Sequence, residues 1–187
     1  MSEQLLINQC SPTLAGIKTG NLFTSPSNGE TLLRKIRYFN RKYRSKGLRL
    51  VALKLSQKRS LVYIYRPQRL KDDLSDESSQ SLLEERGYPT DKPEKCLAEI
   101  SKRLREGKEF PHEIGLFLGY PPEDVRGFIE NRGAGAKLSG LWKVYGDPEK
   151  AGYLFALYKK CTDIYQRAYS LNAPFERLVV DIKHKKP

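Results

Sequence analysis

Leu32, Ile36, Phe39 and Tyr43 recur at i, i+4, i+7 and i+11, and this spacing constrains the fold of the chain more than any other feature. It places four large apolar side chains on one stripe of a helix running from about Gly29 to Lys46, with Gly47 as its stop. The same region is strongly basic. Between Thr31 and Lys71 there are fourteen Lys and Arg and no Asp or Glu, whereas the whole 187-residue chain has 34 basic and 22 acidic residues. One segment therefore accounts for the formal net charge of +12. At about 100° per residue, Arg34, Arg37, Arg41 and Arg44 fall within an arc of roughly 80° opposite the apolar stripe.

Two strands are predicted next, Leu48 to Leu55 and Ser60 to Arg66, joined by a turn at Ser56-Gln57-Lys58-Arg59. Their β-branched and aromatic residues suit a sheet covered on one face, and the basic helix is expected to pack on it. Residues 72–94 turn polar and read as a surface connection carrying a helix or two around Leu82 and Leu83. A helix from about Pro93 to Gly107 points Cys96, Ile100 and Leu104 inward. Ile114 to Leu118 reads as a buried strand, Gly119-Tyr120-Pro121-Pro122 as its exit, and Val125, Phe128 and Ile129 as the inner face of the helix that follows. Leu141 to Tyr145 repeats the pattern, with Asp147 and Pro148 opening a long helix to Ser170. A short last helix spans Pro174 to Leu178. The expectation is a single α+β domain over residues 1–182 with a sheet of about four strands, followed by a loose basic tail, 183–187.

Apolar residues make up 39% of the chain, with eleven Tyr and seven Phe, enough for a core that buries roughly 70% of the unfolded surface. No apolar run approaches the roughly 20 residues of a bilayer span, and the first residues lack a basic region followed by an apolar one. A soluble, cytoplasmic protein without a membrane partner is expected. Three cysteines (Cys10, Cys96, Cys161) and two histidines (His112, His184) lack the spacing of a disulfide framework or a zinc finger, and no metal site is assigned. The phosphate-loop, dinucleotide and nucleophile-elbow patterns are absent, so the cofactor is unknown.

The run Phe110-Pro111-His112-Glu113-Ile114-Gly115-Leu116-Phe117-Leu118-Gly119-Tyr120-Pro121-Pro122-Glu123-Asp124-Val125 resembles a family of small cytosolic bacterial proteins, mostly of anaerobic Firmicutes, classed as a domain of unknown function. Cys10-Ser11-Pro12 near the start, Tyr65-Arg66-Pro67, Trp142-Lys143-Val144-Tyr145 and Tyr158-Lys159-Lys160-Cys161 extend the resemblance over nearly the whole chain. It implies a bacterial cytosolic origin and names no reaction.

Three functional readings follow from the residues. The first is a binding or regulatory module with a pocket at the strand exits near His112, lined by Tyr120, Trp142 and Tyr145, for a small molecule or a protein. The second is a thiol-dependent enzyme: Ser11-Pro12 would open a short helix through Ile17 and place Cys10 at its positive end, lowering the thiol pKa. His112 would act as base, and Glu113, or Asp124 or Asp147 at the turns, would orient it. Against it stands a packing role for Cys10 and a backbone-bonded His112. The third is a nucleic-acid or polyanion binder through Arg34, Arg37, Arg41 and Arg44, whose guanidinium groups suit phosphate and whose binding would weaken with salt. Its competitor is a merely solvated helix face.

Overall fold

A computed structural model of the chain describes residues 1–26, 29–107 and 109–182; the tail expected to be loose, 183–187, lies outside the described residues. The elements in order are α1 (Glu3–Leu14), β1 (Gly20–Ser25), α2 (Gly29–Tyr43), β2 (Arg49–Lys54), β3 (Ser60–Tyr65) and α3 (Pro67–Leu74). They continue with α4 (Glu77–Glu85), α5 (Pro93–Glu106), α6 (Ile114–Phe117) and α7 (Pro122–Glu130). Last come β4 (Leu138–Ser139), β5 (Lys143–Val144), α8 (Pro148–Ser170) and α9 (Phe175–Leu178). The fold is α+β, and the chain divides into two compact units. One comprises Met1–Gln68 with the segment from Tyr158 onward, the other Arg69–Leu157.

In the first unit, β1, β3 and β2 form an antiparallel sheet in that order, with Phe23 opposite Val62 and Leu50 opposite Ile64. Leu32, Ile36, Phe39 and Tyr43 are all buried in one core with Leu6, Ile7, Cys10, Leu14, Val62 and Ile64. The amphipathic stripe of α2 therefore covers the sheet, as its spacing predicts. After α2 a 3-10 turn, Arg44–Lys46, ends at Gly47, whose left-handed backbone (φ 65°) costs glycine nothing.

Two features of this unit depart from expectation. The strand β1 gave little sequence signal because Phe23 is its only fully buried large apolar residue. The first helix begins at Glu3, capped by the Ser2 hydroxyl accepting from Leu5 N at 3.3 Å, and Cys10 lies well inside it. Helical spacing of Leu6, Ile7, Cys10 and Leu14, all buried, outweighs the Ser-Pro start signal. Pro12 falls in the last turn, so the helix gives up one intrahelical bond, the one a residue with an N–H at position 12 would donate to the Asn8 carbonyl.

The end of α1 is closed by Arg66, a side chain only 1% exposed. Its Nε donates to Thr13 O at 2.8 Å, Nη2 to Leu14 O at 2.5 Å and Nη1 to Lys46 O at 2.6 Å. A guanidinium thus satisfies two carbonyls that any helix leaves unpaired at its C-terminus.

In the second unit the expected strand at Ile114–Leu118 is instead the helical turn α6. Its end explains why. Gly119 has φ 74°, Gly119 N donates to Leu116 O at 3.1 Å and Tyr120 N to Gly115 O at 3.0 Å, the paired bonds of a Schellman stop. An apolar run buried on all sides carries no period, so strand and helix are not separable by pattern. The expected strand Leu141–Tyr145 is reduced to Lys143–Val144, which pairs with Leu138–Ser139 in a separate ribbon. The sheet of four strands is therefore corrected to one of three plus a two-stranded ribbon. Residues 72–94 are more than a surface connection, since Leu74, Leu82, Leu83 and Tyr88 are buried. Arg126 of α7 grips Glu85 of α4 with two bonds of 2.8 Å.

Candidate functional site

Asn131 ends α7, its side-chain Nδ2 donating to Gly127 O at 2.8 Å. Beyond it Arg132 (φ 49°) and Gly133 (φ 79°) both take left-handed backbone. For Gly133 this is free; for Arg132 it costs about 1–2 kcal/mol. The turn sets the Arg132 side chain on the wall of a cleft of about 790 Å³ that is also lined by Arg86, Arg103, Phe110, His112 and Phe128. Phe110 is 51% exposed. The His112 ring lies between two aromatic rings, with centroids 5.7 Å from Phe110 and 4.8 Å from Phe128.

Beneath the cleft lies a closed polar cluster. Glu113 is 3% exposed, and its Oε1 accepts from Tyr88 Oη at 2.9 Å and from Arg103 Nη1 at 3.2 Å. Arg103 also donates to Glu99 Oε1 at 2.8 Å and Arg86 O at 2.7 Å, and its guanidinium sits 4.1 Å from the Tyr88 ring centroid. Burial, with the Glu113 carboxylate adding to it, pushes the Tyr88 phenol well above its usual range. Glu113 is thus engaged with Tyr88 and Arg103, and among the described residues no hydrogen bond joins it to His112.

The charges in the cleft are unequally matched. Arg103 is fully paired, whereas the guanidinium groups of Arg86 and Arg132 make no hydrogen bond or salt bridge among the described residues. Glu109 is the one exposed carboxylate among the lining residues. The arrangement offers two open cations beside exposed aromatic surface, a combination suited to an anionic ligand with a flat apolar part.

Tyr120, Trp142 and Tyr145 do not line this cleft. Trp142 stacks on Tyr120 at 4.6 Å and meets Phe155 edge-on at 4.5 Å. Its Nε1 donates to Asp124 Oδ2 at 2.7 Å, while Asp124 Oδ1 accepts from the backbone N of Tyr145 at 2.7 Å and of Gly146 at 2.8 Å. The Tyr145 ring occupies the space above Gly127, where a Cβ would collide with it, and its hydroxyl donates to Ala134 O at 2.9 Å.

Cys10 is fully buried in the first unit, and burial pushes its thiol far above the usual range, with nearby Lys18 opposing only weakly. The expected helix-start setting, with a lowered thiol pKa, is therefore replaced by its reverse. His112 belongs to the second unit; it precedes α6 in a turn rather than entering a strand. Among the described residues no three His, Cys, Asp or Glu side chains gather to hold a metal ion.

Arg34, Arg37, Arg41 and Arg44 are all exposed on one face of α2 and the turn after it. None of the four forms a salt bridge among the described residues, and Arg41 lies 6.0 Å from the Tyr38 ring centroid.

Sequence reasoning passed over Arg86, Arg103, Phe110, Phe128 and Arg132. The available signals were the Asn131-Arg132-Gly133 turn and an Arg-Gly pair at the end of α4, both of which also mark ordinary loops.

Among the described residues no helix is long and apolar enough to cross a membrane. A family model described as "Protein of unknown function (DUF3793)" matches residues 6–179. No curated protein and no solved structure matches the chain.

Proposed function

The chain belongs to the DUF3793 family, and we propose that within it this protein is a binding or regulatory module whose ligand occupies the cleft beside His112. The ligand class is a small molecule that joins a carboxylate or phosphate to a flat apolar group. The observation that carries this reading is the pair of guanidinium groups, Arg86 and Arg132, left without partners beside Phe110 and His112. Burying a polyatomic anion against two guanidinium groups gives short, charge-assisted bonds, and an exposed ring supplies a stacking face. The left-handed backbone of Arg132 supports it further, because strain of this kind persists where a side chain's position is worth its cost. The protein is taken to work in the cytoplasm on a free metabolite.

Calorimetry with aromatic carboxylates and aromatic phosphates tests the proposal. Binding of at least one of them should weaken by roughly tenfold or more in Arg132→Gly and in Arg86→Ala, and by a similar factor in Phe110→Ala. Undiminished binding in all three variants, or no binding by any member of either class, counts against it.

A second reading, a polyanion site on Arg34, Arg37, Arg41 and Arg44, is favoured by one observation: four exposed guanidinium groups share one face with no carboxylate to neutralise them. A nucleic acid would supply the missing anions.

A further inference from the structure

The first unit contains a groove of about 430 Å³ between the first turn of α1 and one flank of α2. Its floor is Leu6, Phe39, Tyr43 and Phe175, each 2 to 5% exposed. Its rim on α2 comes from Thr31, Arg34, Lys35, Tyr38 and Lys42, positions that succeed one another along one side of a helix. Lys42 is committed to Glu176, and Glu3, the one carboxylate in the lining, accepts from Tyr169 Oη at 3.3 Å. Arg34 and Lys35 are exposed and form no salt bridge among the described residues.

An apolar floor under two unneutralised cations matches one ligand chemistry. We propose that this groove binds the monomer of a medium-chain fatty acid, with its alkyl chain along Leu6, Phe39 and Phe175 and its carboxylate between Arg34 and Lys35. The floor favours an alkyl chain over a bare polyanion, because burying apolar surface rewards only an apolar partner. The cations favour a carboxylate over a neutral alcohol of the same length, since a guanidinium pairs with it through two parallel bonds. The recessed floor favours a free monomer over a bilayer. A membrane-binding surface projects large apolar side chains outward, and on this rim only Tyr38, 58% exposed, does so. A groove of this size falls near the lower end of the roughly 300–1,000 Å³ of small-molecule sites, enough for one chain. The inference uses no residue of the His112 cleft and stands independently of it.

The test is calorimetric titration of the full chain with dodecanoate and dodecanol below their micelle or solubility limits, with dodecanoate-free anionic vesicles as a separate arm. Dodecanoate should bind, and dodecanol should bind roughly tenfold or more weakly. Arg34→Glu with Lys35→Glu should weaken dodecanoate by a similar factor, and Thr31→Trp, which fills the groove from the rim, should abolish it. Arg37→Glu with Arg41→Glu, on the same arginine face but outside the groove lining, should weaken dodecanoate clearly less than the Arg34/Lys35 variant does, since a charge not in contact with the carboxylate acts on it only through screened solvent. Unaltered melting temperatures in the charge variants establish that their folds are intact. Equal affinity for dodecanol, an equal loss in the Arg37/Arg41 variant, or binding to the vesicles but not to dodecanoate would each overturn the proposal, as would no binding to any of them.

Discussion

The Asp124 carboxylate holds the Trp142 indole through a 2.7 Å bond from Nε1 to Oδ2, and its other oxygen takes the backbone N–H groups of Tyr145 and Gly146. A carboxylate 2% exposed thereby fastens the start of α7 to the ribbon and to the turn before α8. Asp124→Ala leaves the buried Trp142 indole N–H and two half-buried backbone N–H groups without an acceptor and should cost about 2–3 kcal/mol. Asp124→Asn keeps a single acceptor oxygen and turns an amide donor toward the remaining N–H groups, so an intermediate loss is expected. Trp142 is the only tryptophan, so its fluorescence reports both the local change and the unfolding midpoint. A loss below about 1 kcal/mol in Asp124→Ala would mean that the clamp contributes little.

Cys10 ties stability to alkaline pH. Its thiol is held neutral by burial, above the ordinary 9.0 of the unfolded chain. The stability it confers is therefore complete below that value and is lost as pH rises beyond it, because only the unfolded state then releases the proton. The slope approaches about 1.4 kcal/mol per pH unit. Cys10→Ala is less stable at neutral pH through its cavity, but its deficit should shrink between about pH 8 and 10. Tyr88, likewise raised by burial, leaves a residual slope in both proteins. Parallel urea midpoints across that range would refute the linkage. All three thiols are buried; Cys161, 9% exposed and raised to about 11, should be alkylated before Cys10, which should react only on unfolding.

Arg66 joins the end of α1 to Lys46 through three carbonyls. Arg66→Met preserves length and removes every one of these donors, and a loss of about 2–4 kcal/mol is expected in urea unfolding. Arg66→Lys retains the charge without the planar fork and should fall between the two. If Lys were as stable as Arg, charge alone would account for the site.

Reversal of Arg37 and Arg41 to Glu examines the polyanion reading. Both side chains are exposed, so stability should change by less than about 0.5 kcal/mol. Affinity for single-stranded RNA or DNA should collapse in the variant, and in the natural protein it should fall steeply with salt. Binding that ignores salt would exclude a phosphate interface on this face.

Where one face of an element meets the core, the residues in order were enough to place it. The stripe on α2, the hairpin of β2 and β3, the inward positions of α5 and the Asp-Pro start of α8 are all local patterns, read from neighbours within a few positions. β1 and α6 escaped that reading for opposite reasons: β1 carries too few apolar residues to show alternation, and α6 is apolar on every side and shows no period. The glycine stop at Gly119 held the information that distinguishes α6 from a strand. Only the tertiary structure could bring Arg86 from the end of α4 to the same cleft as His112 and Arg132, or show that Asp124, placed correctly in a helical first turn, binds an indole from the next ribbon. Local sequence determines which side of an element is apolar through the energetics of burial; which distant groups meet there depends on chain crossings that no short-range pattern encodes.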